Sequence, residues 1–170
     1  DGRAAVPGML EEVAKGRDDG FDAIILACFD DTGLAEARRL SGVPTIGIGE
    51  AAFHVAMLLG AKFSVVTTLA ISVPVIEENL RDYGLESACL KVRASEVEVL
   101  DLEIDGSSAR DKISNEMACS LREEQPGALV LGCAGMADLA SQLSQTHNVP
   151  VIDGVASAVG LASGLVRLGR

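Results

Sequence analysis

The stretch Gly127-Ala-Leu-Val-Leu-Gly-Cys133-Ala-Gly-Met136 decides the fold. A short apolar run meets a cysteine and then small residues. Such a run, bounded by glycines, reads as a strand buried in a parallel sheet. Open α/β sheets hold their ligands at the carboxyl ends of such strands, so Cys133 stands where chemistry is usually done. A second copy exists: Asp22-Ala-Ile-Ile-Leu-Ala-Cys28-Phe-Asp-Asp31 is again an apolar strand that ends in a cysteine.

Outward from these stretches, strand and helix patterns alternate. Helical spacing at Val6, Met9, Leu10 and Val13 covers residues 4–19, with Pro7 in the first turn. After strand 22–27, a helix over 33–40 stops at Ser41-Gly42. A strand over 43–48 leads to a helix over 50–59 that ends at Gly60. Strand 62–68 carries Thr67 and Thr68 at its tip, and a helix over about 72–83 follows with Pro74 in its first turn. Residues 88–99 read as a weaker strand, alternating around Val97 and Val99. A long helix runs from Ser107 to Glu124, with Ser107 or Ser108 as cap. Strand 128–132, a helix over about 135–145, strand 149–152 and a closing helix over about 154–168 complete the chain. Repeated strand–helix alternation predicts a mainly parallel sheet.

The chain also repeats itself. Cys28 and Cys133 lie 105 positions apart, and Val43-Pro-Thr-Ile and Val149-Pro-Val-Ile lie 106 apart. The helix at 107–124 maps back onto 2–19. We therefore expect an α/β fold of two similar lobes with mainly parallel four-stranded sheets flanked by helices. Lobe 1 covers residues 1–60, lobe 2 covers 61–153, and the closing helix 154–170 packs back on lobe 1. The counterpart of the strand ending in Thr67-Thr68 would precede residue 1, so the first lobe is expected to lack its opening strand and the natural protein to be longer.

Composition narrows the function. The 170 residues are 48% hydrophobic but only 3% aromatic, so aliphatic side chains are expected to build the core. A net charge of −11 argues against nucleic-acid and anionic-membrane partners. No apolar run approaches the roughly 18 residues of a membrane helix. Cys28, Cys89, Cys119 and Cys133 show no metal-ligand spacing, and reduced thiols in a cytoplasm are expected. Cys89 and Cys119 read as packing residues.

A single cysteine at a strand end is usually a small core residue. Two at repeat-equivalent ends point to function. Lobes facing each other would bring Cys28 and Cys133 to opposite walls of one cleft. One thiolate could take a proton from a carbon acid while the other thiol returns one to the opposite face, which is cofactor-independent racemisation. A helix start after each strand tip would lower the thiol pKa and offer N–H groups to the enolate.

Ala27-Cys-Phe-Asp-Asp-Thr-Gly-Leu34, Val65-Val-Thr-Thr68 and Gly132-Cys-Ala-Gly-Met136 resemble the aspartate/glutamate racemase superfamily, and within it the hydantoin and allantoin racemase branch. The resemblance covers essentially the whole chain. It implies that Cys28 and Cys133 are the acid/base pair, that Phe29, Asp30, Thr67, Thr68, Ala134 and Gly135 hold the ring of a 5-substituted hydantoin or allantoin, and that the protein is a homo-oligomer, to which the apolar helix 154–166 could contribute a contact. Amino-acid racemases of the superfamily carry polar residues where Phe29 and Ala134 stand, and these two imply a more apolar pocket. The family's opening strand, with its Asn-Pro-Asn-like motif, is absent here, and Asp31-Thr32 replaces a frequent Asp-Pro.

Amino-acid racemisation, maleate isomerisation with a nucleophilic cysteine, and a non-enzymatic small-molecule binding module are the other readings. Weaker signals have ordinary explanations. Gly47-Ile-Gly49-Glu-Ala-Ala52 matches a dinucleotide fingerprint, but Thr67-Thr68 stands where its acid should be. Glu50 and Asp153 are expected to cap helices. His54 and His147 are expected to be structural or exposed.

Overall fold

Parallel strands buried on both faces organise the chain, which the computed structural model describes over residues 2–59, 62–104 and 107–169. Gly60, the expected helix terminator, and the boundary between residues 60 and 61 lie outside the described residues. Seven α-helices alternate with six strands among the described residues.

In the first sheet β1 (Ile24–Leu26) pairs in parallel with β2 (Thr45–Gly47), Ile25 standing opposite Ile46. The second sheet has the order β4-β3-β5-β6, formed by β3 (Phe63–Thr67), β4 (Cys89–Ala94), β5 (Ala128–Leu131) and β6 (Val151–Asp153). All its pairings are parallel. Four strands were expected in each sheet, and the first shows two among the described residues. Every residue of β3 and β5 is buried, which is why both are continuous apolar runs rather than alternating ones.

The helices are α1 (Val6–Asp18), α2 (Leu34–Ser41), α3 (Ile48–Leu58), α4 (Val73–Asp82), α5 (Ala109–Glu123), α6 (Ala140–His147) and α7 (Gly154–Arg167). Pro7 and Pro74 occupy first turns, where the absent N–H costs nothing. At α5 it is Ser107 that receives the Ala109 N–H, at 3.4 Å, and the Ser108 side chain makes no cap bond.

Two boundaries differ from expectation. The single helix expected over 135–145 divides into a 3₁₀ helix, Ala134–Leu139, and α6. The strand expected over 88–99 ends at Ala94. Val97 is buried in the connection, and Val99 begins a second 3₁₀ helix, Val99–Glu103. The alternation there reflects burial of a loop residue rather than extended pairing.

Aliphatic side chains build most of the core, as expected, and three of the other four aromatic residues gather around Phe53. It stacks on Phe63 at 5.7 Å, meets Phe29 edge-on at 5.5 Å, and approaches Tyr83 at 6.4 Å. Aliphatic residues of α3, β3, β5 and α7 surround this group.

Helix α7 packs against α3 and reaches β1 and β2. The approach is close: a Cβ on Gly154 would stand 2.5 Å from the Ile48 carbonyl oxygen. Buried Gly154, Ala158 and Ala162 form a small-residue stripe on α7, so apolar surface that could have met another copy is used inside the molecule. At the sheet edge, Arg93 on β4 binds Glu116 at 2.7 Å and Glu124 at 2.8 Å, and also contacts Glu123. These charges tie the edge strand to α5 and its end and blunt it against pairing with other chains.

Candidate active site

The order β4-β3-β5-β6 has a topological switch between β3 and β5, because the chain leaves β3 for β4 on one side and β5 for β6 on the other. Ligands bind outside the carboxyl ends of strands at such a point. The residues there are Thr67-Thr68 after β3 and Gly132-Cys133 after β5.

Gly132 donates its N–H to the Val66 carbonyl at 2.8 Å, which extends the pairing to the residue before the thiol. The Thr67 hydroxyl donates to the Gly132 carbonyl at 3.0 Å. A side chain on Gly132 would stand 2.8 Å from the Thr67 Cα, so glycine is required for this close approach. Thr67 is buried and its hydroxyl is committed to the backbone, so it orients the Cys133 segment. Thr68 is buried beside it.

Cys133 is the N-cap of the 3₁₀ helix Ala134–Leu139; its side chain makes no cap hydrogen bond, but the Gly135 N–H favours its thiolate. Gly135 faces Leu102, which would be 3.2 Å from a Cβ there, and Val99. Two side chains of the 3₁₀ helix Val99–Glu103 thus overlie the Cys133 turn. Nothing in the sequence pattern of 88–99 pointed to that role.

Cys28 is exposed and lies two residues beyond β1. Its carbonyl accepts the Asp31 N–H at 3.1 Å, closing a tight turn, and the Asp30 N–H favours its thiolate. No helix starts immediately after it, since α2 begins at Leu34. The two thiols lie within electrostatic reach of each other, and the Asp30 carboxylate acts on both.

Both thiols titrate above an ordinary cysteine, opposite to the expected lowering. For each, burial is the largest cause, and one backbone N–H does not offset it; the Asp30 charge pushes each further up. Asp30 is itself pushed up by burial, with the Ser72 hydroxyl at 3.5 Å working against this. Its carbonyl accepts from Asn79 Nδ2 at 2.7 Å. The Cys89 thiol, by contrast, is pushed up to about 12 by burial and suits packing.

Phe29 does not line the site. It is 4% exposed and sits in the core against Phe53. Phe29 is the second residue of the tight turn that the Asp31 N–H closes on the Cys28 carbonyl, and there its ring goes into the core while Cys28 stays exposed. Ala134 is half-buried and also packs towards the core. A cavity of about 630 Å³ runs between α1 and β1 and ends at Cys28, Asp30 and Thr32. Cys133, Thr67 and Thr68 stand outside its lining.

Asp31 is the residue that sequence reasoning passed over. It is 5% exposed, and its carboxylate accepts the N–H groups of Gly49 at 3.2 Å and Glu50 at 2.7 Å, and the Tyr83 hydroxyl at 3.0 Å. Burial pushes it up to about 6. Asp31, not Glu50, therefore satisfies the start of α3. Glu50 instead pairs with Arg38. Asp153 does cap its own helix, accepting from Val155 at 2.9 Å and Ala156 at 2.8 Å. A side chain on Gly47 or Gly49 would collide with Asp31. That accounts for the dinucleotide-like glycines by packing.

His54 is half-exposed, 3.9 Å from Glu50, and His147 shares a hydrogen bond with Ser114 at 2.9 Å. Among the described residues, no three or more His, Cys, Asp or Glu side chains gather to hold a metal, and no helix is long and apolar enough to cross a membrane.

Known proteins similar to this chain in sequence and fold include hydantoin and allantoin racemases. A hydantoin racemase of Rhizobium meliloti is 47% identical over 169 residues, spanning 99% of this chain and 70% of that protein. A hydantoin racemase of Pseudomonas sp. (strain NS671) is 38% identical over 166 residues, spanning 98% of this chain and 67% of that protein. The structure of an allantoin racemase from Klebsiella pneumoniae superposes with a TM-score of 0.94 at 43% identity, covering 99% of this chain and 69% of the other. The Asp/Glu/hydantoin racemase family matches residues 1–162, and the chain belongs to that family of isomerases.

Proposed function

We propose that the protein racemises a 5-substituted hydantoin, allantoin included, by a two-cysteine reaction that needs no cofactor. The observation that carries this reading is the pair Cys28 and Cys133, each at the carboxyl end of a parallel strand, each beside one backbone N–H that favours its thiolate, and each sensing the same Asp30 carboxylate. The relatives named as hydantoin and allantoin racemases support the substrate class.

In this reaction one thiolate removes the C5 proton, which is acidic because the enolate delocalises into the adjacent carbonyl. The other thiol protonates C5 from the opposite face. Backbone N–H groups at the two cysteine turns stabilise the enolate oxygen. One proton then passes through solvent from the newly formed thiol to the newly formed thiolate, which completes the cycle, and no electrons are exchanged. A raised pKa makes each thiolate a stronger base and each thiol less ready to lose its proton at neutral pH. We assign Asp30, Thr68 and Gly135 to the ring's surroundings, and Thr67 and Ala134 to the support of the Cys133 turn. We place the enzyme in a reducing cytoplasm, which suits four free thiols, as a homo-oligomer.

Deuterium incorporation in D2O, followed by NMR, tests the reading on a panel of allantoin, 5-alkyl and 5-aryl hydantoins, aspartate, glutamate and maleate. Deuterium is expected at C5 of at least one hydantoin. Exchange confined to an amino acid, isomerisation of maleate alone, or no reaction with any member would overturn it.

The pH profile follows from the thiols. Only the thiolate is the base, and burial raises both thiols, so kcat/KM is expected to rise with pH along a limb displaced to the alkaline side of an ordinary cysteine. It falls again once the second thiol, the proton donor, ionises. A flat profile from pH 6 upward would contradict a thiol base.

A further inference from the structure

We propose that Asp31 is a positioning residue that locks the Cys28 turn against α3 and α4 and so holds one of the two thiols in line for proton transfer. This rests on the two-thiol reading above.

Three elements meet on one carboxylate. Its N–H closes the Cys28 turn, its oxygens take the Gly49 and Glu50 N–H groups in the first turn of α3, and Tyr83 at the end of α4 donates to it. Asn79 and Ser72 hold the neighbouring Asp30 from the same side. Asp31 adopts φ 49°, a left-handed conformation that Asp tolerates better than most residues. Gly47 and Gly49 leave the slot that the carboxylate fills, since a Cβ on either would collide with it.

Capping α3 does not by itself require this arrangement. The internal repeat supplies the comparison. In the second half the cap is local, Asp153 serving its own helix, and the position equivalent to Asp31 is the apolar Met136, fully buried. In the first half the residue equivalent to Asp153 is Gly47, and the carboxylate has moved onto the cysteine turn. The same helix-start requirement is thus met by a residue three positions from Cys28, which couples the turn to α3 and to α4. Burial keeps Tyr83 protonated, so it remains a donor, and Asp31 is ionised at neutral pH to receive it.

The test uses Asp31→Asn, with Tyr83→Phe as a milder variant that keeps the carboxylate and removes one donor. Each hydantoin enantiomer is followed in D2O for both inversion and C5 exchange, with Cys28→Ser identifying the enantiomer that Cys133 deprotonates. A displaced Cys28 leaves Cys133 able to remove and return a proton on its own face. Inversion by Asp31→Asn is therefore expected to fall roughly 30- to 100-fold, while exchange into the Cys133-facing enantiomer stays within about threefold of the unaltered protein, since its base is untouched. Tyr83→Phe shifts the same ratio by a smaller factor. Asp31→Glu is not expected to rescue, because an added methylene moves the carboxylate away from the Gly49, Glu50 and Tyr83 donors that fix it.

Iodoacetamide alkylation read by mass spectrometry provides an arm that needs no turnover. Losing the Asp30 N–H outweighs removing the more remote Asp31 charge, so Cys28 is expected to alkylate several-fold more slowly at fixed pH, with Cys133 unchanged. Parallel loss of exchange and inversion for both enantiomers, or alkylation of the two cysteines unchanged or slowed together, would overturn the assignment. If the unaltered protein exchanges no hydantoin, the racemase reading fails and the alkylation comparison alone decides the role of Asp31.

Discussion

Under the two-thiol reaction proposed above, Cys133→Ser is expected to lower hydantoin inversion by about 10³-fold or more, the scale of losing a positioned acid or base. Cys28→Ser does the same. The reason is symmetrical: each direction of racemisation needs one sulfur as base and the other as acid, so either loss stops both directions. Serine preserves shape, but its hydroxyl is far too weakly acidic to supply a base at neutral pH. The variants differ in exchange. Cys133→Ser retains deuterium exchange only in the enantiomer that faces Cys28, and Cys28→Ser only in the other. Chiral chromatography reads inversion and NMR reads exchange on the same samples. Normal racemisation by both variants would falsify the two-thiol mechanism.

Phe53→Ala is expected to cost about 3–5 kcal/mol of folding free energy. Phe53 is fully buried and is the one ring in contact with Phe29, Phe63 and Tyr83. Deleting it removes buried apolar area and leaves a cavity that strands on either side cannot collapse to fill. Against a total stability of roughly 5–15 kcal/mol, that is a large fraction. Urea unfolding, with the midpoint and slope fitted separately, measures it. A loss below about 1 kcal/mol would mean that the aromatic group is peripheral to the core, since even small core truncations cost that much. Because Phe29 adjoins Cys28, the variant is also expected to loosen the first cysteine turn.

Much of this was legible from sequence because parallel α/β folds write themselves in local signals. Strands buried on both faces must be apolar throughout, and so β3 and β5 stand out from the amphipathic helices between them. The repeat located both cysteines at strand ends, and the prolines and glycines marked the helix boundaries. Membership of the racemase family followed from Cys28-Phe29 and Gly132-Cys133-Ala134-Gly135-Met136, short stretches whose residue identities are local facts.

Other features depend on contacts that pattern cannot express. Phe29 looked like a pocket wall because it follows Cys28, but the tight turn after Cys28 sends the ring into the core against Phe53. Thr67 looked like a ring ligand, yet its hydroxyl goes to a carbonyl 65 residues away in the chain. The thiols were expected to be acidic because a helix should start beside each. Their titration is set instead by how much water the surrounding side chains exclude and by the Asp30 charge. Asp31 was one more acid in a loop until folding brought Gly47, Gly49 and Tyr83 around it. The sequence by itself determined the strand–helix order, the repeat and the two thiols, because each is written within a few neighbouring residues. Only the tertiary structure decided which side chains surround those thiols and what holds them, because burial and electrostatics arise from residues distant in the chain.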